Sequence, residues 1–174
     1  MHQVESPCGA RMLVDGRTIL NFGGSCYLGL GAEQELIEAG REALARLGAT
    51  SQLPRHYSFA LAANTEVESA AREYFGAEGA MYFATGYLFG LIAMTGLAAH
   101  YDVAFLDASG HYNLRDGALA AGKKVLAFRH QDAADLAHKL RHELMPGERP
   151  LVATDGMFPT FGNTPPLSPS MPAC

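Results

Sequence analysis

Three places in this 174-residue sequence put polar residues directly after short apolar runs. In Thr85-Gly86-Tyr87, after the run Ala80 to Ala84, the glycine permits close backbone approach. The helix that begins there would present free N–H groups to an anion such as a phosphate. The same glycine also suits a plain turn. Asp107, Ser109 and His111 end a second run, where an imidazole could stack on a ring or shuttle a proton, or be a surface or hydrogen-bonded histidine. Asp155 ends another, where it could hold a ligand hydroxyl or cap its loop. In parallel α/β sheets ligands bind beyond the C-terminal ends of the strands, so the position of these groups matters as much as their type.

Other groups carry less. His138 and His142 are one helical turn apart, as metal ligands can be, but no carboxylate or cysteine completes a set, and a solvated helix face accounts for them. Ser109 lies in no Gly-x-Ser-x-Gly elbow, which leaves a hydrolase triad unsupported. Arg55-His56-Tyr57, after Pro54, could anchor a carboxylate by bidentate pairing or simply pack a loop.

The elements that would position these residues alternate. "RMLVDGRTILNF" is two β-rich runs about Asp15-Gly16, a hairpin with a type I′ turn. A helix over Glu33 to Leu47 ends at Gly48, and Thr65-x-x-Glu68 reads as a capping box opening a helix that closes near Gly76. Beyond it, strands at 80–84, 103–107, 124–128 and 151–154 alternate with helices at 87–99, 113–121 and 132–145. This rhythm predicts an α/β chain with a largely parallel sheet, its apolar strands covered on both faces. The organisation expected is an arm, hairpin, helix and loop over 1–60, an α/β region over 61–167 and an irregular tail over 168–174. That tail has no helix to cover the last strand, so a partner chain or further sequence is expected to complete the sheet.

Composition excludes several classes. A formal net charge of −5, with 13 Lys and Arg in no run, argues against a nucleic-acid partner. Three cysteines, Cys8, Cys26 and Cys174, make no disulfide framework or CxxC metal knuckle and suit a reducing cytoplasm. No apolar signal segment opens the sequence. Gly79 to Ala99 runs 21 residues without a charge, long enough to span a bilayer, and Gly86 and Gly90 form a GxxxG pair. Neither flank carries Lys or Arg, and a buried strand-plus-helix gives the same hydropathy, so no membrane span is expected.

Taken together, the sequence resembles the α-oxoamine synthases, pyridoxal-phosphate enzymes that include 8-amino-7-oxononanoate synthase. The matching stretches are Asn21-Phe22 with "YLGL" (Tyr27 to Leu30), the loop up to Arg55, "ATGY" (Ala84 to Tyr87), Asp107 with His111, Asp116-Gly117, and "DGMF…G…PPL" from Asp155 to Leu167. They occur in the family's order over nearly the whole chain. The resemblance implies part of a fold-type I large domain: a mostly parallel sheet with helices on both faces, truncated to the N-terminal half. It implies that Thr85, Gly86 and Tyr87 hold the cofactor phosphate, that His111 stacks on the pyridine ring and has a catalytic role, and that Asp155 lies near the cofactor. It implies substrate contacts from Ser25, Cys26 and Arg55. The family joins an amino acid to an acyl thioester with loss of CO₂, and its members form dimers across the site.

The sequence departs from the family pattern at four points. Ser25-Cys26 replaces an Asn pair, and a frequent histidine is replaced near Asn64. Pro159 stands where a serine would reach the cofactor hydroxyl, and proline has no side-chain donor. The family's Schiff-base lysine and its pyridinium-pairing aspartate would fall beyond "PPL", and Lys123, Lys124 and Lys139 fit neither by order. The expectation is therefore a chain not catalytically competent alone, or a non-catalytic partner that completes a site with another chain.

Overall fold

The computed structural model describes residues 1–50 and 55–167. The chain divides into two compact units, residues 1–80 and residues from 81 on. The tail expected over 168–174 lies outside the described residues.

In the first unit, β1 (Arg11–Val14) and β2 (Arg17–Leu20) pair antiparallel, with Val14 opposite Arg17. Asp15 and Gly16 both take positive φ, 49° and 70°, as a type I′ turn requires. Helix α1 (Gln34–Leu47) ends where Gly48, at φ 80°, returns its N–H to Leu44 O. Helix α2 (Ala62–Phe75) ends at a left-handed Gly76. The expected capping box does not form. Helix α2 begins a turn earlier, after Leu61, and the Thr65 hydroxyl donates back to Leu61 O at 3.4 Å. Glu68 cannot reach back because both its oxygens hold Arg55, at 2.8 and 2.7 Å.

The second unit carries the alternation. Helix α3 (Tyr87–Gly96) leads to β3 (Val103–Asp107), α4 (Tyr112–Ala120), β4 (Lys124–Phe128), α5 (Ala133–Glu143) and β5 (Pro150–Ala153). The three strands form a parallel sheet in the order β4-β3-β5, with Phe105 opposite both Leu126 and Val152. All five residues of β3 are buried, so period-2 alternation sends its side chains into two cores. Ala104 and Leu106 pack with Met94, Leu114 and Ala118 from α3 and α4. Val103 and Phe105 pack with Phe128 and with Leu136 of α5 on the other face. Full burial of a side chain such as Phe105 stabilises the unit by about 2–3 kcal/mol.

The strand expected over 80–84 is absent: these residues are irregular. An apolar run becomes a strand only if a neighbour supplies its hydrogen-bond ladder, and residues 80–84 pair with none of β3, β4 and β5. Of the two glycines paired in the charge-free run, Gly90 serves a helix crossing within the unit, whereas a Cβ on Gly86 would meet nothing within 4 Å. A Cβ on Gly90 would lie 2.3 Å from Asn113 O, and one on Gly117 would lie 2.3 Å from Gly90 O, so α3 and α4 meet backbone to backbone. Among the described residues no helix is long and apolar enough to cross a membrane.

Candidate functional site

Thr85, Gly86, Tyr87, Asp107, Ser109, His111 and Asp155, singled out above, lie in the second unit, about the C-terminal edge of its sheet. Helix α3 opens at Gly86; Tyr87 N–H donates to Thr85 Oγ1 at 3.3 Å, and Leu88 and Phe89 N–H donate to the carbonyls of Thr85 and Gly86 at 3.3 and 3.1 Å. Gly86 has φ −62° and ψ −22°, a conformation open to any residue, and a Cβ there would meet nothing within 4 Å. The chain itself therefore makes no demand for glycine at this point. Space left bare at a helix N-terminus fits an anionic group approaching the backbone.

His111 caps α4: its Nδ1 accepts from Asn113 N–H at 3.3 Å, which leaves Nε2 as the outward nitrogen. Its ring stacks on Tyr112, with centroids 4.4 Å apart and 22° between planes. Its backbone N–H donates to Asp155 Oδ2 at 2.8 Å, so Asp155 reaches from the end of β5 to fix the turn that carries His111. Asn113, buried, donates to the carbonyls of Gly86 (3.4 Å) and Tyr87 (3.2 Å) and so ties the start of α4 to the start of α3. The Tyr87 hydroxyl donates to Asp116 at 2.8 Å, and this bond holds the phenol's pKa up.

Behind these groups lies a buried carboxylate. Asp107 is 5% exposed and accepts three hydrogen bonds: Ser109 N–H at 2.8 Å, His130 Nδ1–H at 2.8 Å and Gln131 N–H at 2.9 Å. Burial pushes its pKa up, but these donors outweigh burial and hold it below the usual value.

No family model matches the chain. It is 34% identical to 8-amino-7-oxononanoate synthase of Herminiimonas arsenicoxydans over 95% of its own length and 42% of that protein's. It is 32% identical to serine palmitoyltransferase of Sphingomonas paucimobilis over 96% of its length and 39% of the relative's. The structure of serine palmitoyltransferase from S. paucimobilis with a bound PLP–myriocin aldimine superposes with a TM-score of 0.83 at 30% identity, covering 95% of this chain and 41% of that one. Over nearly its whole length the chain matches enzymes of the α-oxoamine synthase family. It spans about two fifths of the length of the curated relatives it matches, and its α/β sheet is part of a fold-type I large domain.

Within this chain, Thr85, Gly86, Tyr87, His111 and Asp155 share one unit, whereas Ser25, Cys26 and Arg55 belong to the other. Arg55 pairs bidentately as its type suggested, but with Glu68 of its own unit, so its fork is already engaged. Cys26 Sγ accepts from Gly31 N–H at 3.4 Å. None of the three lysines faces the strand ends. Lys123 lies over the Tyr101 ring, Lys124 donates to Glu143 O, and Lys139 pairs with Glu143 at 2.9 Å. His138 and His142 stack on each other at 4.2 Å, and no metal-holding group of residues occurs among those described.

Sequence reasoning missed Asn113 and His130. His130 had a usable signal, since it follows β4 as His111 follows β3, and the rule of strand ends applies to it equally. Asn113 had none, because its role depends on the closeness of α3 and α4.

Proposed function

We propose that these 174 residues form the phosphate- and ring-holding portion of a pyridoxal-phosphate-dependent α-oxoamine synthase, whose reaction joins an amino acid to an acyl thioester with loss of CO₂. The observation that carries the reading is the open space at Gly86, where α3 begins, in the same unit as a histidine fixed at both its ring and its backbone. Thr85, Gly86 and Tyr87 would bind the phosphate through main-chain N–H groups and the positive end of the helix. His111 would orient the pyridine ring against its imidazole and offer Nε2 to the substrate, with Asp155 holding its main chain in place. When bound, the cofactor supplies the electron sink for a carbanion at the substrate's α-carbon. Ser25 and Cys26 are proposed as substrate contacts, and Arg55 only if its pairing with Glu68 opens. A reducing cytoplasm suits Cys8 and Cys26, which are both free.

Since no lysine of the described residues faces this edge, binding by these residues is non-covalent. Titration of the purified chain with pyridoxal phosphate, followed by its absorbance and competed with inorganic phosphate, tests the reading. Saturable binding that phosphate displaces is the expected result; no saturation at millimolar cofactor overturns it.

A second reading, assembly with another chain, has its own observation. Neither α1 nor α2 buries any residue, while Phe22, Leu28, Tyr74 and Phe75 are largely exposed. Surfaces of that kind mark interaction sites, and a homodimer or partner chain would cover them. Sedimentation across a concentration series distinguishes this: association expected, a monomer at all concentrations refuting it.

A further inference from the structure

We propose that His130 is a positioning residue that sets the place of His111 by clamping together the loops after β3, β4 and β5. This rests on the cofactor-binding reading above for its functional meaning, though not for its geometry. His130 Nδ1 donates to Asp107 Oδ1 at 2.8 Å, and the same oxygen accepts Ser109 N–H, two residues before His111. Nε2 faces Asn163 Nδ2 at 3.4 Å. The imidazole meets Phe158 edge-on at 4.4 Å and Phe161 at 5.3 Å, and Phe158 is fully buried. Phe158 and Asn163 close one turn, through Phe158 N–H to Asn163 O at 2.9 Å. That turn follows Asp155 by three residues.

One ring therefore braces both loops, which the bond from His111 N–H to Asp155 Oδ2 also joins. The residue after it shows how firmly the loops are held. Gln131 takes a left-handed φ of 56°, a conformation that residues with a Cβ rarely adopt. It is held there by its N–H to Asp107 Oδ2 at 2.9 Å and by its side chain to Thr164 O at 2.6 Å. Asn163 Oδ1, by contrast, is buried with no partner among the described residues, so Asn163 depends on His130 for its side-chain bond.

Removal of the clamp loosens the loops without melting the sheet. The test compares His130→Ala with His130→Asn, whose amide nitrogen can stand where Nδ1 stands, and reads hydrogen exchange at single amides in the chain without cofactor. In His130→Ala the His111 amide is expected to exchange about tenfold faster while the Phe105 amide in β3 is unchanged. His130→Asn should restore most of that protection, and pyridoxal phosphate affinity should fall and recover in parallel. Unchanged exchange at His111, equal loss at Phe105, or no rescue by asparagine overturns the proposal. If His130→Ala does not fold, Asn163→Ala removes the Nε2 partner alone; a smaller rise at His111 is expected, and none refutes the clamp. A chain that never binds cofactor but shows the His111 response would overturn the functional reading and leave the clamp standing.

Discussion

Replacement of Gly90 by alanine tests the helix crossing on which the site is built. A Cβ at Gly90 would sit 2.3 Å from the carbonyl oxygen of Asn113 and 2.5 Å from its carbon, where ordinary contact begins near 3.4 Å. The obstacle is main chain, which cannot rotate away, so α4 must retreat by about 1 Å. Overpacking of this kind costs about 1–3 kcal/mol, and the upper end applies where backbone is struck. Alanine's better helix propensity returns about 1 kcal/mol, which leaves a net loss of about 2 kcal/mol. With a urea dependence of about 2 kcal/mol per molar, the unfolding midpoint should fall by about 1 M. Gly96→Ala is the control, since it lies at the end of the same helix and its Cβ would meet nothing within 4 Å. Urea unfolding followed by circular dichroism should show Gly96→Ala no less stable than the parent. If Gly90→Ala unfolds at the same urea concentration as Gly96→Ala, the backbone contact does not exist in solution and the geometry of the site falls with it.

Gly86→Ala should leave the urea midpoint unchanged, because its Cβ would project into open space, yet weaken pyridoxal phosphate binding about tenfold; equal affinity would remove the phosphate from this helix. Asp107→Asn places an amide where three donors converge and should cost about 3 kcal/mol. Since the folded carboxyl titrates below its ordinary value, its contribution is present above that value and lost as pH falls through the lowered one. The variant's stability should accordingly vary less with pH in acid, and an unchanged acid slope would contradict this. At the opposite end of the sheet, side-chain and main-chain hydrogen bonds from Arg149 hold the Asp102 pKa down to about 2. Its stabilisation is present above 3.8 and fades toward about 2, so Arg149→Met, which removes the guanidinium but keeps the main-chain donor, should raise the Asp102 titration, read by NMR, part of the way back to the ordinary range. Borohydride treatment of the chain with pyridoxal phosphate should trap no single lysine peptide, and a unique adduct at Lys123, Lys124 or Lys139 would refute their placement.

The alternation of strands and helices was legible because β3 is apolar at every position but its last and is buried on both faces. Asp15-Gly16 likewise reported its turn directly, since few other pairs tolerate two positive φ values. What failed depended on partners far away in the sequence. Residues 80–84 are as apolar as a strand needs to be, but hydropathy does not report whether a neighbouring strand is present to pair with. Thr65 and Glu68 have the spacing of a capping box, yet Arg55, ten or more residues earlier, takes the carboxylate. The candidate site divides in the same way. His111 and Asp155 were found by the rule of strand ends, but their bond to each other across 44 residues was not. Glycine type alone also misassigned a reason: Gly86 does not need its freedom for a turn, whereas Gly90 needs its missing side chain for a neighbour.

The contact of Gly90 with Gly117 has a consequence for how the site tolerates change. Most helix pairs are separated by a layer of side chains, and substitutions in that layer let the pair drift apart or slide. Between α3 and α4 there is no such layer at the crossing, and Asn113 pins the two N-termini together as well. The spacing between the first turns of α3 and α4 is thus set chiefly by main-chain contact, and repacking of the surrounding core has little leverage on it.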